Sequence, residues 1–366
     1  MKIDTLDVSA YTVPTASPES DGTLEWTHTT MVIVEAASDG TRSLGYSYAD
    51  VSTARLVDCV LRHAVLGKDP FDIAVAWEAM VASIRNLGRP GICSMAISAV
   101  DNALWDLKAR LLNTSVAGLL GRAHESIPAY GSGGFTSYSI DQLKDQLSQW
   151  VARGMRSVKM KIGRDPDRDT ARVRAAREAI GWDVGLFVDA NGAYSRKQAL
   201  EKAEQFTDLR VTWFEEPVSS DDLDGLRLLR DHTTRGMVIA AGEYGYDAHY
   251  FRSMLESGAL DVLQADATRC AGITGFRDAG ALALAFSTPF SAHTAPSIHA
   301  HAACAVPRAI NVEYFFDHAR IEKMFFDGAI EPIEGELRPD PSRPGFGLEL
   351  KRPDIEKYKV YGNHHA

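Results

Sequence analysis

The sequence predicts a two-domain α/β protein in which a small α+β domain precedes a barrel of parallel strands, and a tail returns to the first domain. Three observations lead there. The chain has 366 residues, longer than one hydrophobic core usually serves. From Ile127 a strand, loop and helix rhythm recurs through eight strands, as a parallel barrel requires. Before it, three strand-like runs are followed by three helical ones.

Residues 2–13 alternate as a strand, Thr29–Ala37 form a second rich in β-branched residues, and Arg42–Tyr48 form a third after the turn at Ser38-Asp39-Gly40. Between the first two, Thr15–His28 is polar and turn-rich yet carries Trp26 and His28, which reads as a loop with something to cover. Helical patterns follow at 52–66, 71–85 and 94–112, the last with apolar residues at helical spacing through Ala96–Ala109. These elements set a first domain at 1–125, a barrel at 126–318 and a returning segment, rich in Pro and Gly, at 319–366.

Within the barrel, Ser139 with Gln142 and Ser195 with Gln198 form capping boxes that open helices, and Gly154 ends the first of these. Asp165-Pro166 reads as the cap and first residue of a helix running to about Ile180, before Gly181. The strands are Ile127–Gly131, Ser157–Ile162, Leu186–Asp189, Val211–Glu215, Val238–Glu243, Val262–Asp266, Ser287–His293 and Asn311–Tyr314.

A formal net charge of -10, with no run of lysine or arginine, argues against nucleic acid and anionic membranes as partners. Cys59, Cys93, Cys270 and Cys304 stand alone, as reduced and mostly buried thiols of a cytoplasmic protein would. Met1–Val13 lack signal-peptide character, no apolar run approaches a membrane span, and the closing Asn363-His364-His365-Ala366 reads as a solvated tail rather than a metal site.

The strand Ser157-Val158-Lys159-Met160-Lys161-Ile162 places Lys159 and Lys161 on one face by its period of two. Later strands end in Asp189, Glu215, Glu243, Asp266 and His293, with Glu313 on the last. The three acids Asp189, Glu215 and Glu243 recur about one strand-helix unit apart, so all project into the mouth where the strand C-termini converge. Carboxylates facing one another repel unless a cation sits among them, and all-oxygen ligation suits Mg²⁺, with Mn²⁺ the alternative.

These pieces resemble the enolase superfamily, in its mandelate racemase subgroup. The resemblance rests on Lys159-Met160-Lys161, Val188-Asp189-Ala190-Asn191-Gly192, Trp213-Phe214-Glu215-Glu216-Pro217, Ala241-Gly242-Glu243, Asp266 and Ser291-Ala292-His293, with Ala103-Leu104-Trp105-Asp106-Leu107 and Leu119-Leu120-Gly121 in the first domain. It implies a (β/α)7β modified barrel under an N-terminal capping domain that the C-terminal tail completes. It also implies Mg²⁺ held by Asp189, Glu215 and Glu243, and removal of the proton α to a substrate carboxylate to give a metal-bound enediolate. Lys161 is then the base, with Lys159 lowering its pKa and contacting the substrate carboxylate. His293, oriented by Asp266, is the second acid-base group, and Glu313 hydrogen-bonds the substrate carboxylate. Asn191 and the capping residues Trp26, His28 and Tyr46, with Tyr48 and Asp50 nearby, are expected to meet the rest of a small carboxylate substrate. A homo-oligomer is the family expectation.

Cycloisomerase and dipeptide-epimerase relatives carry a second lysine on the strand after the last metal ligand. No lysine lies between Gly258 and Thr288, which disfavours those reactions. The reading is therefore dehydration of an acid sugar, aldonate or aldarate, to a 2-keto-3-deoxy acid. Racemisation or epimerisation of a 2-hydroxy acid is the alternative, and a non-catalytic metal and acid binder is less favoured because none of the polar groups is missing.

Overall fold

The computed structural model describes residues 1–362; the closing Asn363-His364-His365-Ala366 lies outside them. The capping sheet begins with β1 (Thr5–Ser20) and β2 (Glu25–Ser38), a long antiparallel hairpin, followed by β3 (Thr41–Tyr48). Thr15–His28 is thus mostly strand rather than loop. Its Pro18, with Pro14 just before it, and its hydroxyl-rich composition resemble a turn, but the pairing slips between Pro14 and Glu19 and then resumes, so a bulge absorbs the prolines. The turn itself is short. Asp21 Oδ1 accepts from the backbone nitrogens of Thr23 at 2.6 Å and Leu24 at 2.7 Å.

Helices follow in the expected order. α1 (Ser52–Leu56) runs through a π turn at Val57–Leu61 into α2 (Arg62–Val65), then come α3 (Ile73–Ser83), α4 (Ile92–Leu111) and the short α5 (Val116–Leu120). The sheet packs on α4, most of whose residues are buried.

The barrel alternates β4 (Ile127–Gly133), α6 (Ile140–Ala152), β5 (Ser157–Lys161), α7 (Pro166–Ile180), β6 (Gly185–Asp189), α8 (Arg196–Thr207), β7 (Val211–Glu215) and α9 (Leu223–His232). It continues with β8 (Val238–Ala241), α10 (Ala248–Glu256), β9 (Val262–Ala265), α11 (Gly272–Ala285), β10 (Phe290–Ala292), α12 (Pro296–Cys304) and β11 (Ala309–Phe315). Neighbouring strands are parallel, and β11 pairs back onto β4 to close the barrel. Seven helices lie between eight strands among the described residues, a (β/α)7β barrel rather than eight regular units. Both capping boxes form. Asp165 makes no side-chain cap bond, and Pro166 alone opens α7.

After β11 the chain turns into α13 (Phe316–Phe325), which touches both β4 and β1. The remaining segment is divided between the domains. β12 (Phe326–Asp327) pairs with β14 (Glu349–Leu350), while β13 (Glu336–Leu337) lies antiparallel on β4 of the barrel. Past α14 (Arg352–Ile355), β15 (Lys359–Tyr361) extends the capping sheet along β1. Three of the four cysteines, Cys93, Cys270 and Cys304, are buried, Cys59 is exposed, and all are free thiols. No helix among the described residues is long and apolar enough to cross a membrane.

One buried carboxylate ties these parts together. Asp106 of α4 accepts from Leu44 N at 2.9 Å, Phe346 N at 2.6 Å and Arg110 Nε at 2.7 Å. Asp106→Ala would leave two backbone donors and a guanidinium without their acceptor. It is expected to lower stability by about 3 kcal/mol, read as a shift in the urea unfolding midpoint at unchanged slope.

Candidate active site

Inside the barrel the strand period sets two layers. Tyr130, Phe187 and Trp213 point inward with Ala240 and Val262 and fill the lower part, with Phe187 and Trp213 stacked at 4.9 Å. Two residues further along the same strands come Asp189 and Glu215, on the same inward face. Glu243 lies two residues past the end of β8. One ligand oxygen from each of these three buried acids lies within 4.8 Å of the others.

The acids are held by their neighbours. Trp213 Nε1 and Gln264 Nε2 donate to Glu215 Oε2 at 2.9 and 3.0 Å, and Asn191 N donates to Asp189 Oδ1 at 2.9 Å. Arg269 donates to Glu243, at 3.2 Å from the carbonyl oxygen and 3.3 Å from Oε1. Glu243 Oε2 is buried without a hydrogen-bond partner. Three convergent oxygens, one of them orphaned, fit a hard divalent cation.

Lys161 meets Asp189 Oδ2 at 2.5 Å. Lys159 is fully buried and reaches Glu215 at 2.5 Å, Glu313 at 2.9 Å and Asp189 at 3.4 Å. Lys159 is not among the residues lining the cavity above; three carboxylates claim its ammonium. Lys159 does act on Lys161 with the expected sign, lowering its pKa, but it is outweighed. Burial would depress the Lys161 ammonium, yet Asp189 outweighs both burial and the repulsion of Lys159 and holds it above the ordinary lysine value.

Across the mouth, His293 follows β10. Its Nδ1 lies 2.8 Å from Asp266 Oδ2, and its Nε2 lies 3.3 Å from Glu243 and 3.6 Å from Glu313. Burial and His293 hold the Asp266 carboxyl between them, and the net effect places it well below the usual range. Glu313 accepts from Ser132 Oγ at 2.6 Å. Burial raises its carboxyl, but Lys159 and His293 bring it down to about 2, so it stands as an ionised acceptor. His299 accepts from Ala267 N at 2.8 Å and supports the loop after Asp266.

Backbone strain gathers at the same loops. Asn191, Glu216, Thr294 and Ala295, each just past a site residue, have φ of 46°, 39°, 53° and 38°. Non-glycine residues in this region persist only where the surroundings over-determine them.

A cavity of about 420 Å³ joins this mouth to the capping hairpin. Lys161, Asn191, Glu243, Asp266, His293 and Glu313 line it from the barrel. Trp26, His28, Tyr48 and Asp50 line it from the capping domain. Tyr46 does not. It is buried, with its hydroxyl donating to Glu322 Oε1 at 2.6 Å and its ring stacked on Phe326, so its substrate assignment is corrected in favour of Tyr48. Arg269, Tyr244 and His318 also line the cavity without having been assigned. Arg269 and Tyr244 sit on loops beyond strand ends, where periodicity is silent, and His318 lies in the first turn of α13; its position just after the eighth strand was the available signal.

The hairpin tip is fastened over the site. Ser20 Oγ and Thr136 Oγ1 are 2.6 Å apart, and Trp26 meets Phe135 edge-on at 5.7 Å. A Cβ on Gly22 would collide with the carbonyl oxygens of Ile162 and Ala190, the residues after Lys161 and Asp189. Gly22→Val is expected to lift the tip and lower kcat/KM by about 10- to 100-fold, with the thermal midpoint little changed, as measured by steady-state kinetics beside a melting curve.

Comparison with known proteins agrees with this architecture. The chain matches the mandelate racemase/muconate lactonizing enzyme N-terminal domain over residues 7–121 and the enolase C-terminal domain-like family over 142–355. It is 34% identical over 323 residues to a 3,6-anhydro-alpha-L-galactonate cycloisomerase of Streptomyces coelicolor, covering 86% of each chain. It is 30% identical to an arabinonate dehydratase of Saccharolobus solfataricus, covering 87% of this chain and 86% of that one. The solved structure of a mandelate racemase/muconate lactonizing enzyme-like protein from Rubrobacter xylanophilus superposes with a TM-score of 0.97 at 53% identity, covering 98% and 100% of the two chains. That of a racemase from Streptomyces coelicolor A3(2) with bound magnesium gives 0.92 at 30%, with the same coverage. The cycloisomerase relative weakens the exclusion drawn from the missing second lysine. With Mg²⁺ as the cofactor its acid trio fits, this chain belongs to the mandelate racemase/muconate lactonizing enzyme group of the enolase superfamily.

Proposed function

We propose that the protein is a Mg²⁺-dependent acid-sugar dehydratase that converts an aldonate or aldarate to a 2-keto-3-deoxy acid. The observation that carries the reading is that Lys161 and the His293–Asp266 pair enter one cavity from well-separated strands, β5 and β10, beside the Asp189, Glu215 and Glu243 trio. Asp189, Glu215 and Glu243 would hold the cation, which when bound would supply Lewis-acid polarisation of the substrate carboxylate and offset the negative charge beside Lys161. Lys161 then takes the α-proton. His293, as imidazolium stabilised by Asp266, gives its proton to the β-hydroxyl, which leaves as water. The resulting enol loses its C2 hydroxyl proton, gains one at C3 and becomes the keto acid. Arrangement on two sides suits elimination, because the base and the acid act on adjacent carbons.

The same two groups could instead return the proton to the opposite face. The magnesium-bound racemase at 30% identity supports that second reading. Incubation with Mg²⁺ and a sugar-acid library, read for keto acid with semicarbazide, tests the proposal. Dehydration requires one or more acids to give a semicarbazone, and consumption or inversion of an acid with none formed would sink it.

A further inference from the structure

The acid-sugar reading leaves open whether the far end of the substrate carries a second carboxylate. We propose that the cavity selects a monocarboxylate with a neutral, hydroxylated far end, an aldonate rather than an aldarate. The inference rests on the proposed function and narrows it.

The wall supplied by the capping domain carries two carboxylates, Asp21 and Asp50, and no lysine or arginine among the described residues. Each carboxylate is anchored by its own turn, Asp21 as described and Asp50 through Ser52 N at 2.8 Å and Ser52 Oγ at 2.6 Å, so neither swings away at low cost. His28 is the single ionisable nitrogen on that wall. On the barrel side each basic side chain already faces a carboxylate, Lys161 with Asp189, Arg269 with Glu243 and His293 with Asp266.

A second imidazole, that of His318, stands beside the capping wall. His318 lies face to face with Tyr48, with ring centroids 3.4 Å apart, and its Nδ1 is buried without a hydrogen-bond partner. Burial, with His293 adding repulsion, keeps its imidazole well below the ordinary value. A terminal carboxylate at that wall would meet two carboxylates and no lysine or arginine, which is unfavourable. A terminal hydroxymethyl group meets instead two carboxylate acceptors, the Thr30 hydroxyl and a neutral imidazole, all suited to hydroxyls.

The test uses the Mg²⁺-loaded full chain and acids paired by stereochemistry and differing only at the last carbon, gluconate with glucarate and galactonate with galactarate. In any pair that reacts, kcat/KM is expected to favour the aldonate by about 100-fold. Asp50→Lys is expected to move that ratio toward the diacid by about 10-fold or more. Preference for the diacid, or a ratio that Asp50→Lys leaves unchanged, overturns the inference while dehydration stands. If no pair reacts, the dehydratase reading fails by itself and calorimetric binding of the same pairs decides this one. Tighter binding of the monoacid upholds it, whereas equal or tighter binding of the diacid, or no binding of either, overturns it.

Discussion

Lys161→Met is expected to reduce turnover by about 10³-fold or more, within the range that a positioned proton-transfer group supplies, while Mg²⁺ binds at least as tightly as to the parent. The opposite signs follow from one contact. The Lys161 ammonium lies 2.5 Å from Asp189 Oδ2, so it competes with the cation for that carboxylate even though it serves as the base. Methionine keeps the length and apolar stem of the side chain and removes both the competition and the basicity. Isothermal titration with Mg²⁺ alongside single-turnover kinetics measures both. Loss of Mg²⁺ binding together with activity would point instead to a damaged fold, and unchanged turnover would remove Lys161 from the chemistry.

Glu243→Gln has the other large effect, on the metal itself. The amide keeps the shape and an acceptor for Arg269, which now lies 3.3 Å from Oε1, but removes one of three anionic charges and places a donor face near the orphaned Oε2 position. Mg²⁺ affinity is expected to fall by more than about 100-fold, beyond the effect typical of altering only a ligand's supporting partner. A parent protein whose thermal midpoint rises with Mg²⁺ by linkage, by the equivalent of about 2.7 kcal/mol at 100 times the dissociation constant, would lose that rise in the variant. An undiminished rise would place the cation elsewhere.

What the sequence made legible was mostly parity. Alternation correctly put Lys159 and Lys161 inside, and regular recurrence brought Asp189, Glu215 and Glu243 to one mouth. Parity is silent about depth. Lys159 and Lys161 share a face but differ by roughly 6.6 Å along the strand, enough to sink Lys159 among carboxylates and leave Lys161 on the cavity wall. Tyr46 and Tyr48 repeat the lesson on β3, where the first is buried against Phe326 and the second reaches the cavity. The hairpin at Thr15–His28 was hidden differently. Its prolines are turn formers in local terms, and only pairing with the β2 strand, a non-local fact, makes the stretch extended. Arg269 stands on a loop and His318 on the first turn of α13, and the course of both depends on packing across the mouth.

The site also explains why its charges do not collapse. Burying the Asp189, Glu215 and Glu243 carboxylates would be costly unless each is matched, and Lys161, Lys159 and Arg269 supply that match. The same lysine that balances the site must then be released for chemistry, which couples proton abstraction to the acid trio.

The most direct test of that coupling is proton NMR of the α-carbon of a reacting sugar acid in D₂O, with Mg²⁺ and the parent protein, repeated with Lys161→Met and with chelator. The account predicts loss of the α-proton with the parent protein, into keto acid or deuterated acid, and retention of the α-proton both in the variant and without metal. Loss of that proton at the parent rate in either control would contradict it.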